Sequence, residues 1–170
     1  MYESASIAWN RTCACTLLGV VPAYRTSDYT MVESAAIIMQ VLDEHLASAL
    51  APAPGSPQRA EYYQWCVFGP AELDPALSDV MAHTMHPPDE ARVAEIATRG
   101  QERFATRAQM LSTALAKRDY LLGANFSGAD ITIGYCCNWA AYTSLIGDFP
   151  VLVDYYARLQ ARPAFQQVFA

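Results

Sequence analysis

Glu33 and Ser34 stand side by side at the head of the run "MVESAAIIM", an acid and a small hydroxyl placed immediately before unbroken apolar residues. A hydroxyl in that position either caps a helix, by accepting one of its orphan amide donors, or forms half of a binding site. The other residues with chemical potential are scattered. The five cysteines, Cys13, Cys15, Cys66, Cys136 and Cys137, are odd in number and include adjacent neighbours, which is no disulfide framework and points to a reducing, cytoplasmic setting. His45, His83 and His86 lie far from any cysteine pair, so no set has zinc spacing and no metal is expected; all three are read as surface or inter-helix residues. A near echo of the first motif, "YESASIAW", has no continuation matching the later copy, because "WNRTCACTLL" does not parallel "MQVLDEHLAS".

Composition narrows the partners. With 17 acidic against 11 basic residues and a net charge of -6, the 170-residue chain lacks the basic patch that nucleic acid or an anionic membrane needs. No apolar run approaches the roughly 20 residues that span a bilayer. The start carries Glu3 and no sustained apolar segment, so a secretory signal is not expected.

The elements that must position these residues follow from breaks and periodicity. "PAPGSP" reads as a linker, over residues 51–57, dividing a first segment of residues 1–50 from an all-helical portion of residues 58–170. In the first segment, "VVPAYRTSDYTMV" predicts two short strands, about 22–26 and 29–32, joined by a Ser-Asp turn, with Pro22 at a strand entry or in a cis bend. A helix over about 34–46 comes next. Beyond the linker the pattern predicts helices over 58–81, 89–118, 129–145, 151–161 and 164 to the end, with Gly100 marking close packing. "NFSGADIT" is the clearest local signal: Ser127 caps a helix, Asp130 reaches back to the Ser127 amide, and Phe126 staples onto Ile131. That box begins a central, mostly apolar helix containing Ile131, Ile133, Tyr135, Trp139 and Tyr142.

The order of these motifs resembles the glutathione transferase superfamily, and bacterial members in particular. "LLGVVPAY" ahead of a hairpin, "VESAAII" opening a helix, "PGSPQRAEYYQW", "LLGANFSGADITIGY" and "FPVLVDYYARLQARPAFQQVFA" carry the likeness over residues 17–170. The resemblance implies a mainly α chain: the helical-bundle C-terminal domain of that family, preceded by a β-hairpin plus helix remnant of a thioredoxin-like α/β domain. It also implies glutathione as substrate. Val21, preceding a cis Pro22, would pair through its backbone with the cysteinyl part, while Glu33 and Ser34 would hold the γ-glutamyl group. The physics agrees, since a helix start offers free amides, a hydroxyl donor and a positive dipole end to a carboxylate, and Glu33 can pair with the ammonium.

The family's activating Tyr, Ser or Cys comes well before the cis-proline, and only 21 residues precede Pro22 here. The chain is therefore expected to be N-terminally truncated, with catalytic residues unknown. Cys13 and Cys15 stand too close to Pro22 to substitute, and Tyr2, Ser4 and Ser6 have no strand to position them. Three functions are weighed. The first is a glutathione transferase-like protein, with Tyr62, Trp65, Cys66, Phe68 and Glu72 as candidates for a wall facing a hydrophobic electrophile. Against this stands the reading of Trp65 and Phe68 as core. The second is a non-catalytic helical dimerisation or ligand-binding module; the third is an incomplete gene product. A homodimer is expected, with no nucleic acid and no membrane.

Overall fold

The computed structural model describes residues 22–85 and 89–169, and the chain divides into two units, 1–51 and 52–170. Val21, Cys13, Cys15, Tyr2, Ser4, Ser6 and His86 lie outside the described residues.

In the first unit, β1 (Ala23–Arg25) and β2 (Thr30–Val32) pair antiparallel, Ala23 opposite Val32 and Arg25 opposite Thr30. Thr26 builds the turn. Its hydroxyl oxygen accepts the amides of Asp28 and Tyr29 at 3.2 Å each, and its own amide donates to the Tyr29 carbonyl at 2.9 Å. Helix α1 (Ser34–Glu44) follows directly, with Ala35 and Leu42 buried. The Tyr29 hydroxyl donates to Glu44, and Gln40 Nε2 donates to the same carboxylate at 2.9 Å, which ties the hairpin to the last turn of α1. The helix stops short of the expected end because residues Leu46–Ser48 tighten into a 3₁₀ turn closed by Ala49 in a left-handed conformation.

The second unit is a helical bundle. Helix α2 (Pro57–Phe68) runs through a π turn (Gly69–Leu73) into α3 (Asp74–Thr84), where the sequence pattern predicted one uninterrupted helix. Pro70 and Pro75 explain the difference: each lacks an amide and crowds the preceding turn, so the backbone widens locally and keeps its direction. A 3₁₀ turn at Asp89–Ala91 precedes α4 (Ala94–Leu115), which begins later than expected. Then come α5 (Gly128–Tyr142), α6 (Pro150–Gln160) and α7 (Pro163–Phe169).

Helices α3 and α4 form the main pair of the bundle, and Gly100 is the reason they approach closely. A Cβ there would stand 2.8 Å from the Ala76 carbonyl and 2.9 Å from Val80. Gly134 does the same for α5 and α6, since a Cβ would meet Leu159 at 2.8 Å. Along the seam with α4, Arg107 pairs with Glu72 at 2.8 Å and Arg103 with Asp79 at 3.0 Å. The core is apolar and large, including Leu73, Leu77, Leu111, Leu121, Ile133 and Leu152. The face of α5 that holds Ile133, Cys136, Cys137 and Ala140 is buried. The opposite face is not: Ile131, Tyr135 and Tyr142 are 43%, 50% and 62% exposed, so the helix is central on one side only.

The capping box exists and has more members than predicted. The Ser127 amide and the Ser127 hydroxyl both donate to Asp130 Oδ2 at 2.8 Å. The Leu121 amide donates to Asp130 Oδ1 at 3.0 Å, and the Tyr155 hydroxyl to the same oxygen at 2.8 Å. Phe126 makes its ring contacts with Tyr120 at 5.7 Å and with the Arg162 guanidinium at 3.6 Å, while Ile131, the expected staple partner, faces outward.

Asp130 is 1% exposed, so its removal strands four donors in the interior. Asp130→Ala is expected to cost about 3–5 kcal/mol, against about 1–1.5 kcal/mol for Tyr155→Phe, which deletes one donor and leaves the carboxylate three. Urea denaturation of the two variants checks the ranking; equal small losses would show that the carboxylate does not organise the unit.

Candidate functional site

The hairpin register brings two of the predicted residues together. Ala23 faces Val32, so Pro22 and Glu33, one step further out on each strand, share the same end of the ladder. Pro22, Glu33 and Ser34 are all exposed there.

The backbone of Glu33 is unusual. It sits at φ 75° and ψ 108°, a conformation that costs a non-glycine residue on the order of 1–3 kcal/mol. Its carbonyl accepts the Ile37 amide at 2.9 Å, which makes Glu33 the N-cap and Ser34 the first helical residue. The sequence had suggested Ser34 as a cap. Neither does the Glu33 side chain cap the helix, so the leading amides of α1 have neither an intrahelical partner nor a side-chain cap. The result is a helix start whose positive end and hydroxyl both face outward, with a carboxylate beside them. A carboxylate-and-ammonium ligand matches that pairing.

The five residues expected to wall an electrophile site lie in the helical unit and behave differently from one another. Tyr62, Trp65 and Cys66 are 0%, 2% and 0% exposed and belong to the core. At positions i, i+3 and i+4 they form the inward stripe of α2 against α5, where the Thr132 hydroxyl donates to the Trp65 carbonyl at 3.4 Å. Burial pushes the Cys66 thiol up to about 11 and the Cys137 thiol to about 12, and Cys136 is raised as well, so none of the three offers a thiolate at neutral pH. Phe68 is half-buried and packs edge-on against Trp65, with centroids 5.3 Å apart. Glu72 is partly exposed and committed to Arg107, whose Nε donates to it at 2.9 Å. Among the described residues no group of three His, Cys, Asp or Glu could hold a metal ion, and no helix is long and apolar enough to cross a membrane.

Sequence reasoning missed two features. One is the strained backbone of Glu33, for which a glutamate gives no signal, unlike a glycine. The other is the buried Arg59, 3% exposed, which donates to the Pro52 carbonyl at 2.7 Å and lies over the rings of Tyr62 and Tyr63 at 5.0 and 4.8 Å. Its companions, an arginine followed by two tyrosines three and four places on, were a readable cation–π pattern.

Comparison with known proteins agrees with this architecture. The family model described as the glutathione S-transferase C-terminal domain matches residues 94–158. A structure of BphK, a bacterial glutathione S-transferase in a ternary complex, is 30% identical, with a TM-score of 0.78 over 88% of this chain and 72% of that one. A sphingomonad glutathione S-transferase complexed with glutathione is 29% identical, with a TM-score of 0.79 over 91% and 74%. The curated glutathione S-transferase GST-4.5 of Xanthomonas campestris pv. campestris is 23% identical over 122 residues, and the match covers 72% of this chain and 60% of that relative's length. A helical unit built around the Ser127–Asp130 box, a hairpin leading into α1 and these likenesses together place the chain in the glutathione S-transferase superfamily.

Proposed function

We propose that the chain binds glutathione at the head of α1 and conjugates it to small hydrophobic electrophiles when a thiolate-activating residue completes the site. The Ser34 hydroxyl and the leading α1 amides hold the γ-glutamyl carboxylate. Glu33 pairs with the adjacent ammonium, and the backbone at Val21 and Pro22 pairs with the cysteinyl part. The observation that carries this reading is the forced backbone of Glu33. Strain at an exposed residue whose side chain makes no cap bond is expected where the backbone serves a function, and here it falls where a carboxylate adjoins a helix start. The sphingomonad relative, whose structure holds glutathione, supports the ligand's identity.

A free thiol of pKa about 8.5 is mostly protonated at neutral pH, so binding alone confers little reactivity. A homodimer in the cytoplasm completes the reading. Tyr63 and Val67, at i and i+4 on α2, are 44% and 49% exposed on one face, and Pro70 in the following π turn is exposed as well. That apolar stripe is what a partner subunit would cover. The same stripe favours the second reading, a non-catalytic dimerisation module.

Retention on immobilised glutathione with turnover of an aryl halide supports the transferase, and retention without turnover supports the binding module. Ser34→Ala is expected to weaken glutathione binding about tenfold, the worth of one hydrogen bond to a charged group. Glu33→Gly is expected to stabilise the chain by about 1 kcal/mol in thermal unfolding while weakening glutathione, because glycine adopts the backbone without strain and lacks the carboxylate. Unchanged glutathione affinity in both variants would remove the site.

A further inference from the structure

We infer that His83 is a pH-sensitive latch between α3 and α4, closed while its imidazole is neutral and released when the ring gains a proton. His83 stands in the last turn of α3, half-buried, and its Nδ1 accepts the Val93 amide at 3.0 Å. That nitrogen accepts only while its lone pair is bare, so the ring hydrogen is on Nε2 and the imidazole carries no charge. A second proton goes onto Nδ1 itself. The acceptor then becomes a donor facing a donor, and the bond is lost.

The bond holds the part of α4 that has least else to hold it. Val93 is the N-cap: its carbonyl accepts the Ile96 and Ala97 amides at 3.0 and 3.3 Å, and its apolar side chain makes no cap bond. Val93, Ala94 and Glu95 are exposed, whereas Ala97 is buried and Gly100 sits tight against the Ala76 carbonyl. Release therefore loosens the first turn of α4 and the 3₁₀ turn at Asp89–Ala91 before it, and leaves the seam of α3 and α4 closed.

The surrounding charges leave the control with that one bond. Asp79, a turn back on α3, is paired with Arg103 at 3.0 Å, and Asp89 in the 3₁₀ turn with Arg92 at 2.8 Å. Glu90, Glu95 and Arg99 are exposed, where solvent and salt screen them. The helix ends act in opposite senses on a charged ring, since the C-terminal end of α3 attracts it and the N-terminal end of α4 repels it. Protonation thus turns the ring away from Val93. The latch lies wholly in the helical unit and does not depend on glutathione.

Hydrogen exchange of the Val93 amide in the full chain, followed by NMR and corrected for the intrinsic pH dependence of exchange, tests the inference. Protection of that amide is expected to fall about tenfold between about pH 7.5 and about pH 5.5, the worth of one hydrogen bond, while the Ala108 amide in mid-helix keeps its protection. His83→Asn offers Oδ1 in place of Nδ1 and does not titrate, so Val93 should stay protected across the same range. His83→Ala should leave Val93 poorly protected at both ends of it. Nitrogen shifts of the His83 ring should show the hydrogen on Nε2 at the higher pH. Unchanged Val93 protection in the parent, an equal fall in His83→Asn, or a hydrogen on Nδ1 at the higher pH would overturn the latch.

Discussion

A single buried carboxylate holds the helical unit to its arrangement. Asp130 receives donors from the loop at Leu121, from both the amide and the hydroxyl of Ser127, and from Tyr155 on α6. An ionised group in the interior is costly unless its acceptor capacity is used, and here four donors use it. The geometry that satisfies the charge fixes the approach to α5, the first turn of α5 and the docking of α6 at once. Gly134 then lets Leu159 close over the helix, and Thr132 reaches the α2 backbone. Burial and the neighbouring Asp130 charge hold the Tyr155 phenol well above its ordinary value, so its proton stays in the bond across the physiological range.

The first unit depends on the opposite device, a local strain. Glu33 accepts an unfavourable backbone where a glycine would relax, and α1 starts without a side-chain cap. Stability is spent in the one place where the free helix end and the two polar side chains meet. The rest of that unit compensates through the Thr26 turn and the bond from Tyr29 to Glu44. Glu44 is held below the usual carboxylate range by Tyr29 and Gln40, so that anchor survives mild acid.

What was legible in the residues was what is local. The Ser127–Asp130 box, the hairpin and the position of α1 are written in spacings of three or four residues, and they appear where those spacings put them. Long-range partners were not: nothing near Tyr155 in the chain announces Asp130, 25 residues away. Periodicity shows that Tyr62, Trp65 and Cys66 share a face, but not whether that face meets solvent or α5. It also gave α5 as a central, mostly apolar helix without showing that its Tyr135 and Tyr142 side turns outward. The π turn hid behind two prolines that read equally well as a helix break. Ser34 was placed correctly on the chain and one position off in role, because only the backbone angle of Glu33 decides which residue is the cap.

The central claim is that the head of α1 holds the γ-glutamyl end of glutathione. Amide chemical shifts of Ser34, Ala35 and Ala36, followed by NMR during titration, test it most directly. The account predicts saturating shifts with glutathione and with γ-glutamylcysteine, and none with cysteinylglycine, which lacks the γ-glutamyl group. Silent α1 amides, or equal shifts with cysteinylglycine, would contradict it.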